Sequence, residues 1–223
     1  MYFKQLNLLM LKRFLLIIAL IVQPLFFSQS LQAEQLAEDN IQADPLVIIK
    51  SVTTKMIEQL TINKNDIVES PAIVMGIVEE LLIPHFATNT ISRKVMGKHS
   101  RKATKEQKTL FAEAFRFYMV RFYSKVFASY SNQTFIYLAA PEFIGKKIVT
   151  IKTQLIQSAS NPVAIDYRMQ RSGDSWKIID LKIEGISMVI TNKKQFGNQI
   201  SSDGIDTVIA KLQYKNSKAK TNE

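Results

Sequence analysis

The feature that most constrains this chain is a change of hydrophobic period near Tyr130. Upstream of it, Phe111, Phe115, Tyr118, Phe122 and Val126 step by four, three, four and four residues, a spacing that aligns them along one side of a helix. Glu113, Arg116, Ser124 and Lys125 fall largely on the other side, and Thr104 with Gln107 forms a capping box at the start. The spacing predicts one long helix over 104–130 with an aromatic inner face. Downstream the period falls to two. Val149, Ile151, Thr153 and Leu155 alternate with Lys152 and Gln154 within 147–157, and Val163, Ile165, Tyr167 and Met169 alternate with Ala164, Asp166, Arg168 and Gln170. With 134–140 before them and 176–184 after the Arg171-Ser172-Gly173-Asp174 turn, these runs predict a four-stranded antiparallel meander. Ile178-Ile179-Asp180-Leu181 breaks strict alternation, which calls for a bulge or a strand covered on both faces.

Helices flank this unit. Asp44-Pro45 is a helix start with proline in the first turn, and Leu46, Ile49, Val52, Thr53, Met56, Ile57 and Leu60 continue it as an amphipathic stretch. A second helix begins near Ser70-Pro71 and stops at Pro84; a shorter one occupies 86–96 and ends at Gly97. Two more follow the strands, over 187–200 and 203–214, and the polar tail 215–223 is expected to fray. The fold class is α+β: a curved four-stranded antiparallel sheet of nuclear-transport-factor-like or cystatin-like form, with the aromatic helix packed on its concave face and additional helices from both ends of the chain.

The N-terminus carries a different signal. Lys4, Lys12 and Arg13 precede the apolar run 14–22, Gln23-Pro24 breaks it, and Ser28, Ser30 and Ala33 follow. These are the three regions of a secretory signal, expected to span 1–33 with cleavage after Ser30 or Ala33, the alternative being an uncleaved N-terminal anchor. Residues 34–44 then read as a flexible lead-in, and 45–214 as a single domain. The 29 Lys+Arg and 19 Asp+Glu give a formal charge of +10; the signal holds three of the basic residues and no acidic one, so the exported part carries +7. Cysteine is absent, which excludes disulfides and thiol chemistry.

Catalytic patterns are scarce. The two histidines, His85 and His99, stand at a helix end and in a basic loop; no phosphate-binding glycine loop, nucleophile elbow or metal-protease motif occurs. Asp166, Asp180 and Glu184 are the carboxylates placed to serve as a general base in a pocket, against which stands the simpler reading of polar-face and turn residues. The basic residues Lys98, Arg101, Lys102, Lys105 and Lys108 crowd the entry to the long helix, with Lys146-Lys147 and Lys193-Lys194 as smaller groups. With an export signal and no recognition motif for nucleic acid, their expected partner is an anionic membrane surface or an acidic protein.

The order of several motifs resembles a known family. Glu79-Glu80-Leu81-Leu82-Ile83-Pro84-His85-Phe86, Val95-Met96-Gly97-Lys98, Ala103-Thr104 with Gln107, Phe111, Phe115 and Tyr123, Trp176-Lys177-Ile178-Ile179-Asp180, and Ile183-Glu184-Gly185-Ile186-Ser187-Met188 are similar to the MlaC, or toluene-tolerance, family. The likeness spans about residues 45–214. The chain departs from it at His99-Ser100 and Lys193-Lys194-Gln195-Phe196, mostly surface positions. The resemblance implies a periplasmic, non-enzymatic shuttle that holds a diacyl phospholipid as its ligand, with no cofactor or metal. It further implies exchange between an outer-membrane MlaA-like lipoprotein complex and an inner-membrane ABC transporter with an MlaD-like subunit.

Alternation selects the residues expected to line such a pocket: Phe115, Tyr118 and Phe122 from the helix, and Val149, Ile151, Leu155, Ile165, Tyr167 and Met169 from the sheet. The same positions suit an ordinary dry core. Two alternatives stay open at this point: an exported small-molecule-binding or enzymatic domain of the same shape, and a structural envelope adaptor using the 98–108 face.

Overall fold

Asp44 opens the first described helix by accepting a hydrogen bond from the Leu46 amide at 2.7 Å, with Pro45 at the first helical position where no amide donor is needed. The computed structural model describes residues 44–70, 72–157 and 161–221; the expected signal and all of the lead-in except Asp44 lie outside them. Helix α1 (Pro45–Ile62) buries Ile49, Val52, Met56 and Leu60, the stripe that its period marks. A short α2 (Lys64–Glu69) follows, then α3 (Ala72–Ile77), which widens into a π-helical turn over Val78–Leu82 and a 3-10 turn over Ile83–His85. Pro84 has no amide to continue the helical ladder. Phe86 then bridges in parallel to Ile178, and the Ala87 amide donates to the Ile178 carbonyl at 2.9 Å, tying this connection to the sheet.

Helix α4 (Thr88–Met96) runs into a 3-10 turn over Gly97–Arg101, and α5 (Lys105–Ala128) is the long aromatic helix. Both halves of its capping box form: the Gln107 amide donates to Thr104 Oγ1 at 3.1 Å, and the Thr104 amide to Gln107 Oε1 at 3.0 Å. Five antiparallel strands follow in sequential order: β1 (Thr134–Tyr137), β2 (Ile148–Ile156), β3 (Val163–Ser172), β4 (Ser175–Ile183) and β5 (Ile186–Ser187). The fifth strand corrects the expectation of four. Glu184, at φ 50°, and Gly185, at φ 77°, turn the chain sharply enough for Ile186 and Ser187 to pair back with β4 before the next helix.

The broken alternation in β4 resolves as a bulge. Arg168 pairs with Asp180 while Met169 pairs with Ile178, leaving Ile179 as the extra residue. Ile178 therefore joins the row of Val149 and Met169, and Asp180 falls on the opposite face with Arg168. Two helices close the described chain, α6 (Met188–Asp203) and α7 (Ile205–Thr221). Helix α7 continues beyond Tyr214, where fraying was expected, because Asn216 is buried there and binds α5 twice: its Nδ2 donates to the Ala114 carbonyl at 3.0 Å and its Oδ1 accepts from Arg121 at 3.0 Å. The inner sheet face and helices α1 and α3 to α7 share one hydrophobic core.

Candidate functional site

The aromatic stripe of α5 divides between two environments. In its first half, Phe111, Phe115 and Tyr118 surround Phe196 of α6, with ring centroids 6.0, 5.7 and 5.3 Å away and all three contacts edge-on. Edge-on aromatic contacts of this kind add to the gain from area burial. Phe196 thus fills the space that a ligand would need beside Phe115, which is fully buried. The Tyr118 hydroxyl donates to Asn192 Oδ1 at 2.9 Å, anchoring the stripe to α6 a second time. Burial holds the Tyr118 pKa above the ordinary tyrosine value, with Arg121 pulling the other way.

The second half of α5 faces an open cleft of about 490 Å³, within the range of roughly 300–1,000 Å³ common to small-molecule sites. Its helical wall is Phe122, Tyr123, Val126 and Phe127, extended by Tyr130 just past the helix end, and its sheet wall is Phe135, Leu155, Ile165, Tyr167, Leu181 and Ile183; Leu82 and Phe86 come from the α3–α4 connection. Register explains the sheet wall. Leu155 pairs with Val163 and Phe135, Ile165 pairs with Ile183, and Tyr167 pairs with Leu181, so side chains of one row on adjacent strands emerge together. Phe122 and Val126 are 36% and 48% exposed at the cleft, unusually open for large apolar side chains.

The polar groups of the cleft, Ser129, Ser131, Gln133 and Gln157, are uncharged, and none of its described lining residues is Asp, Glu, His, Lys or Arg. Tyr123 and Tyr167 are the buried hydroxyl bearers. Burial raises both pKa values above the ordinary tyrosine value, assisted by neighbouring Tyr167 and Asp180 at Tyr123 and by Tyr137 at Tyr167, where a hydrogen bond with Thr153 opposes the shift. The cleft therefore presents neutral, mostly hydrocarbon and aromatic surface, suited to an apolar guest and without an acid–base pair.

Of the residues that alternation selects as pocket lining, Phe122, Leu155, Ile165 and Tyr167 meet in this cleft. Phe115, Val149, Ile151 and Met169 lie in the closed core and Tyr118 packs against α6. Tyr123, Phe127 and Tyr130, which also line the cleft, lie outside that single stripe. Their spacings of four and three mark a second apolar row beside Phe122 and Val126, legible in principle from the same periodicity.

The carboxylates take structural roles. Asp180 accepts from the Ser187 hydroxyl at 2.6 Å and the Val189 amide at 3.1 Å, capping the entry to α6. Glu184 accepts from the Ala164 amide. Asp166 stands in register between Lys152 and Lys182 on the sheet's outer side. His85 is held below the ordinary histidine pKa by burial, then by Lys177 and Lys55, while His99 Nε2 lies 3.2 Å from Ser201 Oγ. No group of three or more potential metal-ligating side chains occurs among the described residues.

The basic patch is split. Lys98 and Arg101 line one groove, Lys105 and Lys108 a separate depression of about 560 Å³, and Lys102 neither. No described helix is long and apolar enough to cross a membrane.

Comparison with known proteins converges on one family. The chain is 23% identical over 210 residues, 93% of its length and 94% of the relative's, to the intermembrane phospholipid transport system binding protein MlaC of Haemophilus influenzae. It is 28% identical over 164 residues, 73% of its length and 75% of the relative's, to toluene tolerance protein ttg2D of Pseudomonas putida. A phospholipid-binding protein of Ralstonia solanacearum, solved in complex with a phospholipid, has the same fold, with a TM-score of 0.70 at 23% identity over 78% of this chain and 98% of that one. The family model for MlaC protein matches residues 50–214, from α1 through Tyr214 in α7 and across the whole cleft, and the chain belongs to that family.

Proposed function

We propose that this chain is a periplasmic phospholipid carrier that holds the acyl tails of a diacyl phospholipid in the cleft between α5 and the sheet. The observation that carries the reading is the cleft itself: its described walls are apolar and aromatic, and none of the described lining residues is an Asp, Glu, His, Lys or Arg of the kind an enzyme of this shape would need. The names of the relatives, which bind or transport phospholipid, agree with it. Tail positions fall to Phe122, Leu155, Ile165 and Tyr167, joined by the second row of α5. The headgroup remains at the mouth, near Ser129, Ser131 and Gln133, where uncharged contacts favour little headgroup selectivity.

Burial of acyl chains stabilises the complex against water by about 0.8 kcal/mol per CH₂, about 20 kcal/mol or more for a diacyl lipid. Release into water is then negligible. A bilayer shields the same chains, so transfer between membrane and cleft is close to neutral, and the carrier needs docking partners rather than an energy source of its own. We assign those partners to an outer-membrane lipoprotein complex and an inner-membrane ABC transporter with its lipid-binding subunit. The region of Lys98, Arg101, Lys102, Lys105 and Lys108 is the contact surface, and the N-terminal 33 residues are the export signal.

Native mass spectrometry of protein isolated from the periplasm is the test. A retained diacyl phospholipid is expected, with an N-terminus after Ser30 or Ala33; a ligand-free mass overturns the carrier reading.

A further inference from the structure

Cationic side chains from four separate elements converge on one groove of about 670 Å³: Arg93 and Lys94 from α4, Lys98 and Arg101 from the 3-10 turn, Arg168 from β3 and Lys193 from α6. One carboxylate, Asp180, lines the same groove, and its two oxygens already accept from Ser187 and Val189. The two ion pairs among the described residues, Arg116–Glu79 and Lys211–Asp203, lie elsewhere. The groove therefore holds an uncompensated excess of positive charge.

The crowding has a structural basis. The Lys193 side chain crosses Gly97 so closely that a Cβ on Gly97 would lie 2.8 Å from Lys193 Cε, and Gly97 also has φ 57°, a conformation that glycine tolerates best. This brings a cation of α6 over the turn that carries Lys98. The Lys94 pKa is lowered by burial first and by Arg168 second, which Asp180 only partly offsets. Ile190, 68% exposed, adds an apolar surface on the same wall as Lys193.

We propose that this groove binds an acidic polypeptide segment of a partner protein, with an apolar side chain of that segment resting on Ile190. The idea rests on the carrier reading for its need to dock, and names the chemistry of the segment that docks. The exposed cations of four elements surround the exposed Ile190, a mixed charged and apolar footprint that an amphipathic acidic chain can match residue by residue. Complementary charge of this kind speeds encounter and sets orientation.

The probe is a fluorescein-labelled peptide of alternating Glu and Leu, titrated against the lipid-loaded exported chain and followed by anisotropy. Vesicles of phosphatidylglycerol and phosphatidylcholine serve as the competing surface. Saturable peptide binding is expected that weakens as ionic strength rises to about 0.15 M. The pair Arg168→Glu with Lys193→Glu, and independently Lys98→Glu with Arg101→Glu, should each lower affinity by about tenfold or more. Lys146→Glu with Lys147→Glu, the same charge change on a loop that does not line the groove, should shift it less than about twofold. Thermal unfolding identifies any variant that fails to fold, and the second groove pair keeps the test intact if the first does. Absence of peptide binding, equal loss in groove and loop variants, or preference for vesicles over peptide overturns the proposal. Native mass spectra of the same samples separate the two readings, because missing phospholipid counts against the carrier while leaving the peptide result to decide the groove.

Discussion

The carboxylate of Asp180 and the hydroxyl of Ser187 lie 2.6 Å apart, joining the β4 bulge to the N-terminus of α6. Ser187 in turn accepts from the Ile190 amide at 3.0 Å as the helix cap, and Asp180 takes the Val189 amide. One buried acid thus satisfies groups that helix termini otherwise leave without partners. Asp180→Ala should lower unfolding free energy by about 2–3 kcal/mol, since a hydroxyl and an amide lose a charged acceptor. Urea unfolding measures it, and phospholipid content of the surviving folded protein should not change. A loss of lipid at full stability would place Asp180 in the site instead.

Phe115 and Phe122 separate core from cleft. Phe115→Ala removes a ring packed against Phe111, Tyr118 and Phe196 and should cost about 3–5 kcal/mol of stability. Phe122 is 36% exposed at the cleft wall, so Phe122→Glu should cost far less stability and reduce co-purified phospholipid by about tenfold, the equivalent of about 1.4 kcal/mol of lost contact. Denaturant midpoints and lipid-to-protein ratios of the two variants should move in opposite patterns.

Thr104 and Gln107 test how the long helix is started. Thr104→Ala should lower stability by about 1 kcal/mol. Gln107→Ala should cost at least as much, because Gln107 Nε2 also donates to Asp206 of α7 at 2.9 Å and so links the two helices. Unfolding curves of the single and double variants reveal the coupling as non-additivity.

Alkaline and acid limits follow from buried titratable groups. Tyr123 and Tyr167 have folded-state pKa values raised above 10.0 by burial. The stability they contribute is complete below the unfolded value and lost as pH rises through it toward the folded one. Ultraviolet titration should show two tyrosines that ionise only with unfolding, and Tyr123→Phe should remove one. His85 behaves in the opposite sense: its folded pKa lies below 6.5, so its contribution is present above that pH and fades as pH falls. His85→Gln should flatten the stability profile on the acid side.

The period of α5 and the alternation of β2 and β3 were readable because each depends on local geometry, 3.6 residues per helical turn and two per strand. The same rule exposed the β4 irregularity, and Thr104 with Gln107 marked the helix start without any tertiary information. The two-residue β5 was not legible, since its pairing depends on the left-handed turn at Glu184 and Gly185 and on a partner strand already in place. The extent of α7 was equally hidden: Asn216 is polar in sequence, and only docking onto Ala114 and Arg121 makes it a buried anchor.

By itself the sequence determined the α+β class, the faces that each element buries, the absence of cysteine chemistry and, through its motifs, the family. Tertiary structure decided which part of an apolar face is core and which is cleft. Phe115 and Phe122 are equivalent in hydrophobicity and lie on the same helical stripe, yet Phe196 closes over the first and leaves the second open. Periodicity reports the direction in which a side chain points; whether a packed side chain or open space lies in that direction depends on how distant segments meet.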